Sequence, residues 1–281
     1  MDELPDALTG LPGIVRQMAG RRPALFLDLD GTLAPIAARP DLVEVPPATR
    51  ELLERLAPLC PVTVVSGRGL DDLRDKVQVR SLYYAADHGF QILGPVRSRR
   101  ELVVGGECRP QLELAAAALR RALQTVEGAL VEEKGLSLAV HYGQVPEPRQ
   151  GAVLRAVADV AERFPILRVI EGKLVYEFRP PDAWNKGKAL LWIMGQLGLG
   201  RGGAQSPGGI TGAEPLNGFP IAIGDDLTDE DMFAAVEGWG AGVIVGDPGR
   251  PTRATYRVAD HLEAARLLES ILGVLSQPPT S

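Results

Sequence analysis

The chain has 281 residues, 45% of them apolar and 23% charged, a balance that suits a globular protein of one large or two modest domains. A net charge of −6, with lysine and arginine scattered along the chain, argues against nucleic acid as a partner. No apolar stretch reaches the ~18 residues of a membrane span, and residues 1–10 are acidic without an apolar core, so neither a membrane nor a secretory route is expected and the cytoplasm is. Cys60 and Cys108 lie far apart with no metal-ligand spacing, so free thiols are expected, with one disulfide as the alternative.

Residues 5–19 carry apolar positions at roughly helical spacing and predict a leading helix. Residues 24–36, ALFLDLDGTLAPI, then predict a buried strand that breaks at Asp28-Leu29-Asp30-Gly31-Thr32. Extended geometry carried as far as Asp30 would put Asp28 and Asp30 on one side and crowd two like charges. A cation, a shared proton or one carboxylate working as a base would relieve that, and simple turn chemistry is the competing account.

After Pro46-Pro47, residues 48–59 predict an amphipathic helix with Leu52, Leu53, Leu56 and Leu59 on one face. Residues 61–68, PVTVVSGR, predict a second strand ending in Ser66-Gly67-Arg68, where a hydroxyl, a glycine and open amides suit an anion; a plain strand-to-helix turn is the alternative. A helix over 70–77 and a strand over 82–86 continue the alternation to Asp87-His88-Gly89. Strands that repeatedly end in polar residues predict one parallel sheet with its active edge at their C-terminal ends.

Near Cys108 the rhythm changes. A helix over 109–125, strands over 130–133 and 136–141, a helix over 149–164 and strands over 167–170 and 174–178 predict a small α+β layer. After Pro180-Pro181 the first rhythm resumes: helix 185–197, strand 220–223, helix 228–236, strand 242–245 and helix 261–274. The fold class is therefore α/β, a Rossmann-like parallel-sheet core of residues 1–105 and 182–281 with an α+β unit of residues 106–181 inserted. Residues 198–218, rich in glycine, predict a surface loop, and residues 277–281 a disordered tail.

Two further stations carry charge. Asn185-Lys186-Gly187-Lys188 opens a helix, where an ammonium and free amides can both face a phosphate, although a solvated first turn has the same look. Gly224-Asp225-Asp226-Leu227-Thr228-Asp229-Glu230-Asp231 follows an apolar strand. Complementing a helix dipole accounts for the last three acids but poorly for Asp225 and Asp226, which a strand end would carry at a cost without a cation.

In order, D-L-D-G-T-L, S-G-R, the helix-opening Lys186 and G-D-D-L-T-D-E resemble the four motifs of the haloacid dehalogenase-like (HAD) phosphohydrolases. The insertion between the second and third is similar to the α/β cap of their sugar-phosphatase branch. Within that branch, D-G-T-L-A-P-I, D-H-G, V-E-E-K, H-Y, E-F-R-P, N-K-G and D-D-L-T-D-E-D-M-F resemble the trehalose-6-phosphate phosphatase family over almost the whole chain. Two features depart from its pattern: Gly143 stands where an arginine commonly follows the His-Tyr pair, and the loop over 198–218 is longer than usual.

The resemblance implies a Mg²⁺-dependent hydrolase of a small sugar phosphate, trehalose 6-phosphate; a monomer is expected beside it. Asp28 would be the nucleophile and Asp30 the acid, then the base. The resemblance puts Mg²⁺ on Asp28, the backbone carbonyl of Asp30, and Asp225, with Asp226 or Asp229 holding a water or orienting Lys186. Gly31, Thr32, Ser66, Gly67, Arg68 and Lys186 would surround the phosphate. Glu132, Lys134, His141, Lys173 and Glu177 in the insertion, and His88 in the core, would meet sugar hydroxyls. The rivals are another substrate, such as sucrose phosphate or mannosylglycerate phosphate, a phosphomutase, and a catalytically silent regulatory module.

Overall fold

The computed structural model describes residues 4–37, 39–96, 98, 100–172, 174–200 and 217–277. Lys173, most of the loop expected over 198–218 and most of the tail expected over 277–281 lie outside the described residues.

The first half of the core runs α1 (Ala7–Met18), β1 (Arg22–Leu27), α2 (Pro47–Leu56), β2 (Val62–Val65), α3 (Leu70–Val77) and β3 (Tyr83–Ala86). Two strands of three residues follow, β4 (Gln91–Leu93) and β5 (Glu101–Val103), which no periodicity in so short a stretch announces. The insertion is α4 (Arg109–Leu123), β6 (Leu130–Glu133), β7 (Leu138–His141), α5 (Glu147–Arg163), β8 (Arg168–Gly172) and β9 (Val175–Arg179). The chain closes with α6 (Lys186–Gln196), β10 (Gly218–Gly224), α7 (Glu230–Val236), β11 (Ala241–Val245), β12 (Tyr256–Val258) and α8 (His261–Leu275).

The large sheet has the order β12-β11-β10-β1-β2-β3-β4-β5, parallel as far as β3 and antiparallel beyond it. Its inner strands are buried on both faces, which is why they read as unbroken apolar runs. Along β1 the period of two sends Leu25 and Leu27 into a core shared with α1, α2, α3 and α8. Ala24 and Phe26 go into a second core under α6 and α7.

From β1 the chain steps to β2 on one side, and only after the insertion does β10 pair on the other. The strand order therefore reverses between β1 and β10. The crevice outside the C-terminal ends of two such strands is where open α/β sheets bind ligands. Leu27 pairs with Ile223 in register, and the Asp28 amide donates to the Ile223 carbonyl at 2.9 Å, so Asp28 leaves one strand beside Asp225 leaving the other.

The inserted strands form a separate antiparallel sheet, β6-β7-β9-β8. Leu138, Val140 and Phe178 pack on one face against Leu112, Leu119, Val153 and Val157 of α4 and α5. Register puts Glu132, Ala139 and Glu177 in one row on the opposite face. That face meets the C-terminal edge of the parallel sheet, where the Lys134 carbonyl lies 2.6 Å from the point a Cβ on Gly69 would occupy. Cys60 and Cys108 are both buried free thiols.

Candidate active site

β1 ends at Leu27, and the backbone turns at once: the amides of Leu33 and Ala34 both donate to the Leu29 carbonyl at 3.0 Å, and Gly31 takes φ +88°. The turn corrects one expectation. Extended geometry does not persist to Asp30, so Asp28 and Asp30 are not a crowded pair; each carboxylate has a cationic partner of its own. Asp28 Oδ1 accepts from Lys186 Nζ at 2.6 Å, whereas Asp30 accepts from Arg68 Nε at 2.8 Å and Nη2 at 2.7 Å.

Lys186 is the first residue of α6, set there because the Asn185 side chain caps the helix by accepting from the Lys188 amide at 2.9 Å. The lysine is 3% exposed and forks between Asp28 and Asp229, whose Oδ1 accepts at 2.7 Å. Asp229 is fully buried, and its other oxygen accepts the amides of Asp225 and Asp226 at 3.0 Å each. The helix expected from Thr228 is in its first residues a 3-10 turn, Leu227–Asp229, capped reciprocally by Asp226 and Asp229, with α7 starting at Glu230.

Asp28, Asp225 and Asp229 each offer a carboxylate oxygen, and these oxygens lie within 4.8 Å of one another. Burial pushes the Asp28 carboxyl up; Lys186 opposes this, while Asp229 and Asp225 add to it. Burial, then Asp229 and Asp226, push Asp225 up to about 7. Burial alone would lower Lys186, but the two carboxylates outweigh it and hold the ammonium charged.

Three clustered acids facing one lysine leave negative charge in excess. An oxygen-only donor set of this kind fits a hard divalent cation. Asp225 Oδ1 is buried with no hydrogen-bond partner among the described residues, an orphan that such an ion would satisfy. A Cβ on Gly31 would come within 2.3 Å of Asp225 Oδ2, so only glycine lets that carboxylate approach. Neither Asp30 nor Asp226 adds a side-chain oxygen to the cluster: the Asp30 carboxylate is engaged by Arg68, leaving its backbone carbonyl as the atom expected at the ion, and Asp226 is exposed at the turn.

Of the residues expected around a phosphate, Ser66, just past β2, and Thr32, in the turn after β1, are 1% exposed, and the Thr32 hydroxyl has no partner among the described residues. Gly67 faces the His88 ring, which a Cβ would meet at 2.6 Å. Arg68 spans Asp30 and Asp72, the latter through Nη1 at 2.7 Å, an i,i+4 pair that the spacing of the sequence offers but that was not singled out.

On the inserted layer, Glu132 Oε2 and His141 Nε2 lie 2.8 Å apart, and that contact holds the Glu132 carboxyl below its usual range. Lys134 Nζ donates to Glu177 Oε1 at 2.7 Å, and Arg179 Nε donates to Glu177 Oε2 at 2.8 Å. Burial would raise Glu177, yet His88, Lys134 and Arg179 outweigh it and keep the carboxyl well below normal. His88 Nε2, from the core, is 3.5 Å from Glu177 Oε2; burial pushes this imidazole down to about 4, so it is neutral. Arg179, the arginine of E-F-R-P, is a partner to which the motif alone assigned no role, though it lies two residues from Glu177 and shares its face.

The fold, with its strand order reversing between β1 and β10, is shared with a haloacid dehalogenase-like hydrolase from Bacteroides thetaiotaomicron, which superposes with a TM-score of 0.61 at 16% identity, covering 89% of this chain and 100% of that one. The family model described as trehalose-phosphatase matches residues 26–260, and the chain belongs to that family.

The chain is 36% identical over 282 residues to a trehalose-phosphate phosphatase of Mycobacterium tuberculosis, covering 99% of this chain and 68% of that one. It is 41% identical over 260 residues to an uncharacterised glycosyl hydrolase of the same species, but spans 18% of that longer protein's length. Among solved structures, the C-terminal domain of the Candida albicans trehalose-6-phosphate phosphatase superposes with a TM-score of 0.73 at 22% identity, covering 96% of this chain and 98% of that one.

Proposed function

We propose that the chain is a Mg²⁺-dependent phosphatase that hydrolyses trehalose 6-phosphate to trehalose and phosphate, the last step of trehalose biosynthesis. The observation that carries this reading is the meeting of Asp28, Lys186, Asp225 and Asp229 at the switch point. The family and its named relatives support the choice of sugar.

Asp28 attacks phosphorus and forms an aspartyl-phosphate, dividing one difficult displacement into two. Asp30 gives a proton to the departing sugar oxygen and then takes one from the water that frees phosphate. Arg68, with one hydrogen bond to each oxygen of Asp30, holds that side chain in place, and release of one of them frees the oxygen that carries the proton to the sugar oxygen. Lys186 neutralises phosphate charge as it builds, and Ser66, Thr32 and the amides near Gly31 and Gly67 offer donors to its oxygens. Asp28, the Asp30 carbonyl, Asp225 and Asp229 would hold or orient Mg²⁺, which supplies charge neutralisation between the nucleophile and the phosphate. Mg²⁺ as the particular ion rests on the oxygen donors and on the family.

The inserted layer acts as a cap for the sugar. Glu132, Lys134, His141, Glu177 and His88 supply the paired donors and acceptors that hydroxyls need, and Lys173 belongs to the same proposal from outside the described residues. Gly143, where a Cβ would make an ordinary contact with Leu174 at 3.5 Å, stands in place of the family's arginine and keeps one rival in view, the same chemistry on another sugar phosphate. A monomer in the cytoplasm completes the proposal, in keeping with two buried free thiols.

Phosphate release from trehalose 6-phosphate, measured with Mg²⁺ and with chelator beside sucrose and mannosylglycerate phosphates, tests the reading. Fast, Mg²⁺-dependent release from trehalose 6-phosphate alone is expected. Equal slow rates on all three would overturn the sugar assignment, and no release from any ester would overturn the activity.

A further inference from the structure

Between the core and the inserted layer lies a carboxylate that the mechanism does not use. Asp87 follows β3, is 0% exposed, and takes the left-handed φ of 49° that Asp tolerates better than most residues. Its amide donates to the Arg68 carbonyl at 2.8 Å, tying it to the loop that grips Asp30. Its side chain points the other way. Oδ1 accepts from Ser137 Oγ at 2.6 Å and Oδ2 from the Leu136 amide at 3.0 Å, both in the turn joining β6 to β7, some 50 residues further on.

A buried carboxylate is a costly way to make a turn, since an amide or hydroxyl would serve the backbone without charge. A pair of good donors offsets part of its desolvation, and both belong to the inserted layer. The same turn is closed by the Lys134 amide donating to the Ser137 carbonyl at 2.9 Å. Holding Leu136 and Ser137 therefore also sets where the Lys134 side chain stands, 2.7 Å from Glu177.

We propose that Asp87 is a clasp that seats the hairpin of the inserted layer on the core and thereby positions Lys134 for the sugar. It is a positioning residue, remote from the phosphorus, and its catalytic consequence rests on the sugar-phosphatase reading above. Swinging the layer away would leave a bare carboxylate under the sheet edge, so the clasp favours the seated state and opens only as Asp87 gains water.

Two variants test this. Ser137→Ala removes one donor with little change of shape, and Asp87→Asn puts an amide NH₂ against one of the two donors. KM for trehalose 6-phosphate is expected to rise about tenfold in each, the weight of one hydrogen bond to a charged group. Turnover of p-nitrophenyl phosphate, too small to need the layer, should stay within about twofold. Parallel loss on both esters would mark a merely structural role and overturn the proposal, as would an unchanged KM for the sugar in both variants.

Amide hydrogen exchange reads the clasp without any substrate. Exchange at Leu136 and its neighbours in β6 and β7 should quicken in both variants while β1 and β10 stay protected. Unaltered exchange there would overturn the clasp even if the protein acts on some other ester, whereas faster exchange without sugar hydrolysis would uphold the clasp and condemn only the substrate.

Discussion

Lys186 Nζ and Asp28 Oδ1 stand 2.6 Å apart although 158 residues separate them in the chain. Both are buried, and Asp229 holds the lysine from its other side, so removing Lys186 would strand two buried carboxylates, a change that costs on the order of 3–5 kcal/mol. The fold thus brings the acid at the end of β1 and the lysine at the start of α6 together with Asp229 as a third member.

Asp28→Asn keeps the size and hydrogen-bonding shape of the side chain but removes the attacking oxygen's charge. Turnover should fall by about a thousandfold or more while the circular dichroism spectrum stays native. Appreciable activity in a folded variant would remove Asp28 from the role of nucleophile.

The acidic cluster should bind a divalent ion in the absence of substrate. Mg²⁺ at about 100 times its Kd should stabilise the folded chain by about 2.7 kcal/mol, visible as a rise in Tm. Asp225→Asn should abolish most of that rise, since it removes the charge of the orphaned oxygen. An equal rise in the variant would place the ion elsewhere.

Arg68→Lys keeps the charge but not the two-pronged grip on Asp30. A drop in kcat of about tenfold to a hundredfold with KM little altered is the expected result of a misaimed proton donor. Were KM to rise and kcat to hold, Arg68 would instead be a ground-state contact to the phosphate.

The Asp87 carboxyl makes a pH signature in stability. Burial lifts it to about 7, with the Ser137 and Leu136 donors and Lys134 working downward and Glu177 upward. In the unfolded chain an Asp titrates near ~3.9. The folded state therefore holds this proton where the unfolded state has released it, and the contribution is fully present below pH ~4 and lost as pH rises to about 7. Denaturant midpoints of the parent minus those of Asp87→Asn should decline across that window and level off above it; a flat difference would show that the carboxyl is not so shifted.

The apolar runs of β1 and β10 could be read directly, because strands buried on both faces leave nothing else for those residues to do, and the acids that follow each run, Asp28 and Asp225, mark where burial stops. The capped start of α6 was equally open to reading, since Asn185 and Lys186 are local choices made within one turn of helix. β4, β5 and β12 escaped notice because three residues contain too little periodicity to separate a strand from a loop.

Which acid belongs to which cation could not be read in this way. Asp30 lies two residues from Asp28 yet pairs with Arg68, and Asp87 pairs with a hairpin some 50 residues away. Local sequence determined the elements, their polar ends and the insertion, because propensity and hydrophobic period act over a few residues. Only the tertiary structure decided the partners, because a hydrogen bond is settled by tenths of an ångström, and such distances exist only after sheet register and layer packing have brought distant segments together.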